Sequence, residues 1–366
     1  MIFHALLRTG RRTGAAAFAV IALQWVNVQA EPAALASNAP RFTSRAESPP
    51  RKVVVASAVA RFAGTVEERL ALAGRLIDQA AETKKNAAVV RGLDLVVLPE
   101  FAICREAGKT AEERAVELSG TVLDALSRKA REHQAWVVAP MTLREPEASG
   151  RISNAAVLFD REGKVAGIFR KVHPILDPDG TFEGGVAPGE AYPVFDCDFG
   201  RLGILICWDM GYEDAWKSLA DGGAEIVALP SASAQTVRPA AEALRHHFFV
   251  VSSTPRENAS LFDPIGRTIA QATQAPGMLV HEIDLAYAIL HWSETLRNGR
   301  ALGERFGDRV GFDYSSREDT GIFWSNDSQV TIGAMIRELG LKEMPAEIER
   351  MDAARKSFVG AKSQTP

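Results

Sequence analysis

The run Leu202-Gly203-Ile204-Leu205-Ile206, closed by Cys207-Trp208-Asp209, constrains this chain more than any other stretch. It is too apolar and too short for an exposed element, and Gly200 before it, with Asp209 and Gly211 behind, bounds it as a buried central strand. Cys207 then falls at the strand's carboxyl end. Glu213 and Asp214 open a helix running to about Asp221, acidic residues suiting its first turn, and Gly222-Gly223 stops it before a second apolar run, Ile226 to Leu229. The result is a strand-helix-strand unit. In such sheets chemistry collects outside the carboxyl ends of the strands. That places Cys207 for nucleophilic work, although a small buried hydrophobe is the competing reading of the same residue.

The remaining chain repeats the pattern. Lys52 to Val59 reads as a first strand, rich in valine. Thr65 caps a helix in which Leu70, Ala73, Ile77 and Ala80 recur at helical spacing. Leu93 to Leu98 is the next strand, and Pro99-Glu100 follows at once, so a carboxylate stands at a strand end behind a residue that stops the ladder. A helix is expected over Glu112 to His133, then a strand from Trp136 to Ala139. Asn154 to Asp160 and Val165 to Lys171 form a hairpin around Arg161-Glu162-Gly163-Lys164. The stretch Asp177 to Gly189 is a long loop rich in Gly, Pro and acids, and it carries Glu183. After the Cys207 unit come Leu229-Pro230-Ser231 at another strand end, a helix around Arg238 to His247, and a strand from Phe248 to Ser252. A hairpin turns at Asp263-Pro264-Ile265-Gly266, and a last strand covers Leu279 to Ile283. Two similar halves are expected to pack together.

The strand ends thus offer Glu100, Lys171 and Cys207, with Glu183 in a neighbouring loop. Each has an ordinary reading, as a solvated turn glutamate, a strand-end lysine, a core cysteine or surface decoration. Together they make chemical sense. A thiol near neutral pH is only a few per cent ionised and needs a base, which Glu100 can be. Attack on a carbonyl creates an oxyanion, which the Lys171 ammonium and the backbone N–H of Trp208 can receive.

At this point the sequence resembles the carbon-nitrogen hydrolase, or nitrilase, superfamily, whose members carry a Glu-Lys-Cys triad in this order. The resemblance rests on Leu95-Val96-Val97-Leu98-Pro99-Glu100, on Phe169-Arg170-Lys171-Val172-His173 and on Gly203-Ile204-Leu205-Ile206-Cys207-Trp208-Asp209. Ala187-Pro188-Gly189, Gly223-Ala224-Glu225-Ile226-Val227 and Asp263-Pro264-Ile265-Gly266 add to it. Residues 286–366 fall outside the resemblance, and their aromatic and Gly content points to a C-terminal extension folded to about Leu341 and wrapping a partner subunit. The resemblance implies an α/β fold of the α-β-β-α sandwich type over residues 51–285. It also implies no metal or organic cofactor, and association into a homodimer through the Cys-side helices. Cys207 becomes the nucleophile, Glu100 the general base and then acid, and Lys171 the oxyanion stabiliser. Glu183 best matches the second glutamate that orients the lysine and the substrate, with Glu190 nearby. The chain departs from the family pattern at Leu244-Arg245-His246-His247-Phe248, where Arg-Ala-x-Glu-Asn is common, and at Ser252-Ser253-Thr254, where an Asn is frequent.

Composition narrows the partners. The 366 residues are 46% hydrophobic and 24% charged, ordinary globular material, and a formal charge of -4 argues against nucleic acid. Basic residues up to Arg12, the apolar Ala15 to Val26 and the small-residue spacing of Val28-Gln29-Ala30 read as a signal peptide over 1–30, cleaved near Ala30. The apolar run falls short of the ~20 residues that span a bilayer, so no stable membrane anchor is expected and the protein is taken as exported. Residues 31–50 read as a linker. Cys104, Cys197 and Cys207 are an odd number for an exported protein, leaving at least one thiol unbridged within the chain, with a Cys104–Cys197 bridge possible. No pair has zinc-ligand spacing, and the seven histidines form no metal motif.

The expected activity is hydrolysis of a non-peptide carbon-nitrogen bond in a small linear amide or N-carbamoyl compound. Asp209, where nitrilases more often have Glu, favours amidases and carbamoylases. A nitrilase is the alternative within the family, and a catalytically silent binding module is the alternative outside it.

Overall fold

The computed structural model describes residues 45–86, 92–104, 109–145 and 150–362. The signal-peptide reading of 1–30 and most of the linker reading lie outside them. In chain order the first half contains β1 (Lys52–Val59), α1 (Val66–Asn86), β2 (Leu95–Val97), α2 (Ala111–Arg114), β3 (Val116–Glu117), α3 (Thr121–His133), β4 (Trp136–Arg144), β5 (Ile152–Phe159) and β6 (Val165–Arg170). The second contains β7 (Val194–Cys197), β8 (Gly200–Ile204), α4 (Glu213–Asp221), β9 (Ile226–Pro230), α5 (Val237–His246), β10 (Phe249–Ser253), β11 (Ala259–Phe262), β12 (Thr268–Ala272) and β13 (Gly277–Asp284). The extension adds β14 (Tyr287–His291), α6 (Arg300–Phe306), β15 (Val310–Ser315), β16 (Thr320–Ser325), α7 (Ile332–Glu338) and α8 (Met344–Lys362).

Two sheets result, ordered β13-β1-β2-β4-β5-β6, with β3 also on β4, and β12-β11-β10-β9-β8-β7. Each has three parallel neighbours, β1, β2 and β4 or β8, β9 and β10. Each continues into an antiparallel hairpin on one side, β5-β6 or β11-β12, and ends in one antiparallel strand on the other, β13 or β7. The two sheets therefore correspond strand for strand, the two similar halves expected from the sequence. Because successive side chains alternate faces, β1 sends Val53 and Val55 into a core shared with Leu202, Ile204 and Ile226 of the second sheet. Val54 and Ala56 go instead to Ile77 of α1 and Leu126 of α3. Leu219 of α4 lies so close over β8 that a Cβ at Gly203 would sit 2.8 Å from it. The architecture is an α-β-β-α sandwich.

Four readings need correction. The helix expected over Glu112 to His133 is two helices separated by strand. Ala115 turns extended, Val116-Glu117 pairs with Leu143-Arg144, and α3 restarts behind Gly120, whose φ of 108° ordinary residues rarely adopt. The extension is folded beyond Leu341, through α8, and encloses a core of its own in which Leu290, Leu302, Phe306, Phe323, Ile332 and Met335 meet. Ala46 belongs to that core and its carbonyl accepts from Gly333 N at 2.7 Å, so the end of the segment read as linker is packed. No bridge joins Cys104 to Cys197, since Cys104 lies between the first sheet and its helices and Cys197 is on β7 of the other sheet. The Thr65 cap forms as expected: its hydroxyl accepts from Glu68 N at 3.3 Å and its own N–H donates to Glu68 Oε2 at 2.8 Å.

Candidate active site

Local chemistry explains why three side chains meet at the strand ends. Behind β2, Leu98 N still donates to Val138 O at 3.1 Å, then Pro99 has no N–H to offer and the chain turns, leaving Glu100 inside with its side chain 1% exposed. Lys171 directly follows β6, its N–H held by Asn154 O at 2.8 Å, and its side chain is likewise 1% exposed. The long loop returns here as Gly189 N donates to Lys171 O at 2.7 Å. Only glycine permits that approach, because a Cβ at 189 would lie 2.2 Å from Arg170 O. Cys207 opens a 3-10 turn, Cys207–Gly211, with a left-handed φ of 48°, a conformation a non-glycine residue holds only when its surroundings enforce it.

Lys171 Nζ donates to Glu100 Oε1 at 2.9 Å and to Glu183 Oε1 at 2.5 Å. Asn154 Nδ2 donates to the same Glu100 oxygen at 3.0 Å and to Glu183 Oε2 at 2.9 Å. The other oxygen of Glu100, Oε2, accepts from Ala232 N at 2.9 Å. Glu183 has a left-handed φ of 45° and is fixed through its backbone, its N–H donating to Ile175 O at 3.0 Å and its carbonyl accepting from Arg114 at 3.0 Å. Glu100, Lys171, Glu183 and Cys207 line one cavity of about 370 Å³, with Phe101, Lys109, Arg114, Ile175 and Asp177 at its walls. Glu190, the other acid near the loop, instead pairs with Arg151 at 3.2 Å, its side chain 84% exposed.

The charges set the protonation states. Burial opposes the Lys171 ammonium, but Glu100, Cys207 and Glu183 outweigh it and hold its pKa above the ordinary value, so it is charged. Burial, and next the Glu100 charge, push the Cys207 thiol up to about 12, against Lys171, the Ser231 hydroxyl and the Ala232 N–H. Cys197 is also pushed up to about 12, by burial and then by Asp198 and Asp196. Cys207 is thus not set apart by acidity; a base beside it sets it apart.

Asp209 is fully buried and ties the two strand ends together. Its Oδ1 accepts from His173 N at 2.8 Å and its Oδ2 from Ile206 N at 3.1 Å. Burial raises this carboxyl to about 6, against those two N–H donors. The His173 ring stacks on Tyr212 with centroids 3.4 Å apart and meets the Tyr192 hydroxyl at 2.9 Å. The Trp208 indole does not enter the thiol cavity. It lines an adjoining, largely apolar trough of about 440 Å³ with Pro174, Leu176, Phe182 and Tyr212, and Ile175 belongs to both spaces.

The sequence reading passed over Asn154, which bridges both glutamates; the signal was a carboxamide at the start of a strand that is otherwise almost wholly apolar and wholly buried. Among the described residues one trio, Asp78, Glu132 and His133, has metal-ligand spacing. The Lys129 ammonium sits there already, 2.8 Å from Asp78 and 2.9 Å from Glu132. None of the three lines the thiol cavity.

The chain is similar to known proteins in sequence and in fold. The omega-amidase NIT2-B of Xenopus laevis is 25% identical over 233 residues, 58% of this chain and 83% of the relative. The human deaminated glutathione amidase is 28% identical over 243 residues, 57% of this chain and 71% of the relative. Among solved structures, Nit3 of Saccharomyces cerevisiae, a member of branch 10 of the nitrilase superfamily, shares the fold with a TM-score of 0.57 at 21% identity, over 64% of this chain and 90% of its own. The carbon-nitrogen hydrolase family model matches residues 54–290, which contain both sheets and every residue of the thiol cavity. The chain belongs to the carbon-nitrogen hydrolase family and is a hydrolase of non-peptide carbon-nitrogen bonds.

Proposed function

We propose that this protein is an exported thiol amidohydrolase that cleaves small linear amides or N-carbamoyl compounds through a thioester on Cys207. The observation that carries the reading is that a thiol, a carboxylate and an ammonium line one cavity, with one carboxylate oxygen outside the ion pair. With the thiol pushed up to about 12, very little thiolate exists at neutral pH, so a base must act in the step itself. Glu100 Oε2 takes the thiol proton as sulfur bonds to the amide carbon. The carbonyl pair moves onto oxygen, where the Lys171 ammonium and the Trp208 N–H receive the charge; each such donor is typically worth about 3 to 4 kcal/mol of barrier. Collapse of the intermediate re-forms the carbonyl and expels ammonia or amine with the proton that Glu100 held. Water then gives a proton to Glu100 and adds to the thioester, the carbon-sulfur bond breaks, sulfur regains the proton, and the acid leaves. Glu183 orients Lys171, and the apolar trough beside Trp208 is where a substrate's substituent would lie.

Names borne by the relatives, omega-amidase and deaminated glutathione amidase, support amides over nitriles. Export is supported by Arg8, Arg11 and Arg12 before the apolar Ala15 to Val26. Among the described residues no helix is long and apolar enough to cross a membrane. A homodimer is supported by the family resemblance and by the exposed Val237 and Leu244 on α5. The test is ammonia release from propionamide, benzamide, N-carbamoylglycine and propionitrile. Release from an amide or the carbamoyl compound supports the proposal, release from the nitrile alone replaces it with a nitrilase, and release from none rejects hydrolysis of these classes. Amino-terminal sequencing of protein from its host should begin near Glu31; an intact Met1 would reject export. Sedimentation should give a dimer mass.

A further inference from the structure

Asn154 sits on β5, opposite Thr142 of β4, with 1% of its surface exposed, and its carboxamide is spent in an unusual way. Both of its bonds come from the nitrogen, and both go to carboxylates, Glu100 Oε1 at 3.0 Å and Glu183 Oε2 at 2.9 Å. Its Oδ1 is buried without a donor among the described residues. Burying an unmatched acceptor is costly, and an asparagine selected only to tie β5 to the loop would satisfy both ends. Lys171 bonds to the same two glutamates, so Glu100, Lys171, Glu183 and Asn154 close a ring of buried groups with one positive and two negative charges.

We infer that Asn154 is a positioning residue for hydrolysis: its two N–H groups bind one oxygen of each glutamate, and with Lys171 they saturate Glu100 Oε1 so that Oε2 takes the Cys207 proton. The inference rests on the thiol mechanism proposed above. Lys171 shares its ammonium between the two glutamates, and the Asn154 nitrogen adds one donor to each. With Oε1 accepting from both Lys171 and Asn154, and Oε2 accepting only the Ala232 N–H at 2.9 Å among the described residues, the free lone pair is on Oε2.

The test compares the wild type with Asn154→Leu, close in volume but with no donor, and Asn154→Ser, which keeps one. With propionamide as probe, kcat/KM should fall at least tenfold in Asn154→Leu and by less in Asn154→Ser, which keeps one donor. kcat at the optimum should fall at least tenfold in Asn154→Leu, with KM within about threefold of wild type. Should Asn154→Leu fail to fold, the smaller loss in Asn154→Ser carries the test. Activity that falls only with the folded fraction, or a loss carried by KM, would overturn the inference. A second readout needs no turnover: Cys207 alkylation by iodoacetamide at pH 8 should be faster in Asn154→Leu than in the wild type, because Glu100 is no longer fixed beside the thiol that its charge raises. If the wild type hydrolyses no probe but this rate rises, the hydrolysis proposal fails while the hold of Asn154 on Glu100 stands; an unchanged rate overturns that hold.

Discussion

The strands β2 and β9 occupy the same place in their respective sheets, and each leads into a Leu-Pro: Leu98-Pro99-Glu100 just past β2, Leu229-Pro230-Ser231 at the end of β9. Pro99 ends the first ladder, where Leu98 N donates to Val138 O at 3.1 Å and the chain then turns, whereas the second ladder runs one residue past Pro230, with Ser231 N donating to Ser253 O at 2.8 Å. Beyond the proline the two strands part. The first sheet places a buried carboxylate there; the second places Ser231, whose hydroxyl favours the Cys207 thiolate, and Ala232, whose N–H holds Glu100 Oε2 at 2.9 Å. The neighbours β1 and β8 diverge too. Past β1 the chain runs on through Ala60, bonded to Thr254 O at 3.1 Å, whereas past β8 it turns left-handed at Cys207. Two copies of one scaffold thus divide the chemistry, ion-paired acid and base on one side and thiol with neutral donors on the other, by changing residues just beyond the strand ends.

That division can be broken from either side. Glu100→Gln should lower kcat/KM by roughly 10² to 10⁴-fold, the usual value of a general base. The same change should speed Cys207 alkylation at pH 8, because the neighbouring charge that raises the thiol is gone. Loss of both rates together would mean that Glu100 only supports the structure. In the wild type, with the thiol at about 12, alkylation should climb from pH 7 to 10 without a plateau.

Lys171→Met leaves two buried carboxylates against no cation and should cost about 3 to 5 kcal/mol in urea unfolding, besides abolishing ammonia release. The sign with pH follows from the raised pKa: stability from the folded ammonium is complete below its ordinary 10.5 and is lost only as pH rises through the folded value. The wild-type advantage should therefore stay flat from pH 6 to 9 on the lysine's account. A decline across that range would contradict the charge assignment.

Ser231→Ala should have the smallest effect, a two- to tenfold drop in kcat/KM, equivalent to one neutral hydrogen bond of about 0.5 to 1.5 kcal/mol. A loss rivalling that of Glu100→Gln would make the second sheet a source of acid-base chemistry and erase the contrast.

The sheets were legible in the sequence because runs such as Val53 to Val59 and Leu202 to Ile206 have no face to spare for water, and glycine and proline mark their ends. Cys207 and Glu100 were legible for the same reason, standing at the ends of such runs, whereas Lys171 follows a half-exposed strand and was picked out as a strand-end charge that the family resemblance then matched. Glu183 needed the family resemblance, since a Gly-rich loop has no periodicity to place a side chain, and it was its left-handed backbone and contacts to Ile175 and Arg114 that brought it to Lys171. Asn154 was passed over because what it does depends on two partners 54 and 29 positions away. The break in the helix before α3 was hidden because Val116 and Leu118 fit either periodicity, and only pairing with β4 decided it.

The central claim is that Cys207 forms a bond to the acyl carbon while Glu100 carries its proton. The most direct measurement is intact-protein mass spectrometry of wild type, Cys207→Ala and Glu100→Gln, quenched in acid during turnover of the best amide. The account predicts an added acyl mass that maps to Cys207 in the wild type, with no adduct and no ammonia from Cys207→Ala. Ammonia release by Cys207→Ala at the wild-type rate, or an acyl group mapped to Cys104 or Cys197, would contradict it.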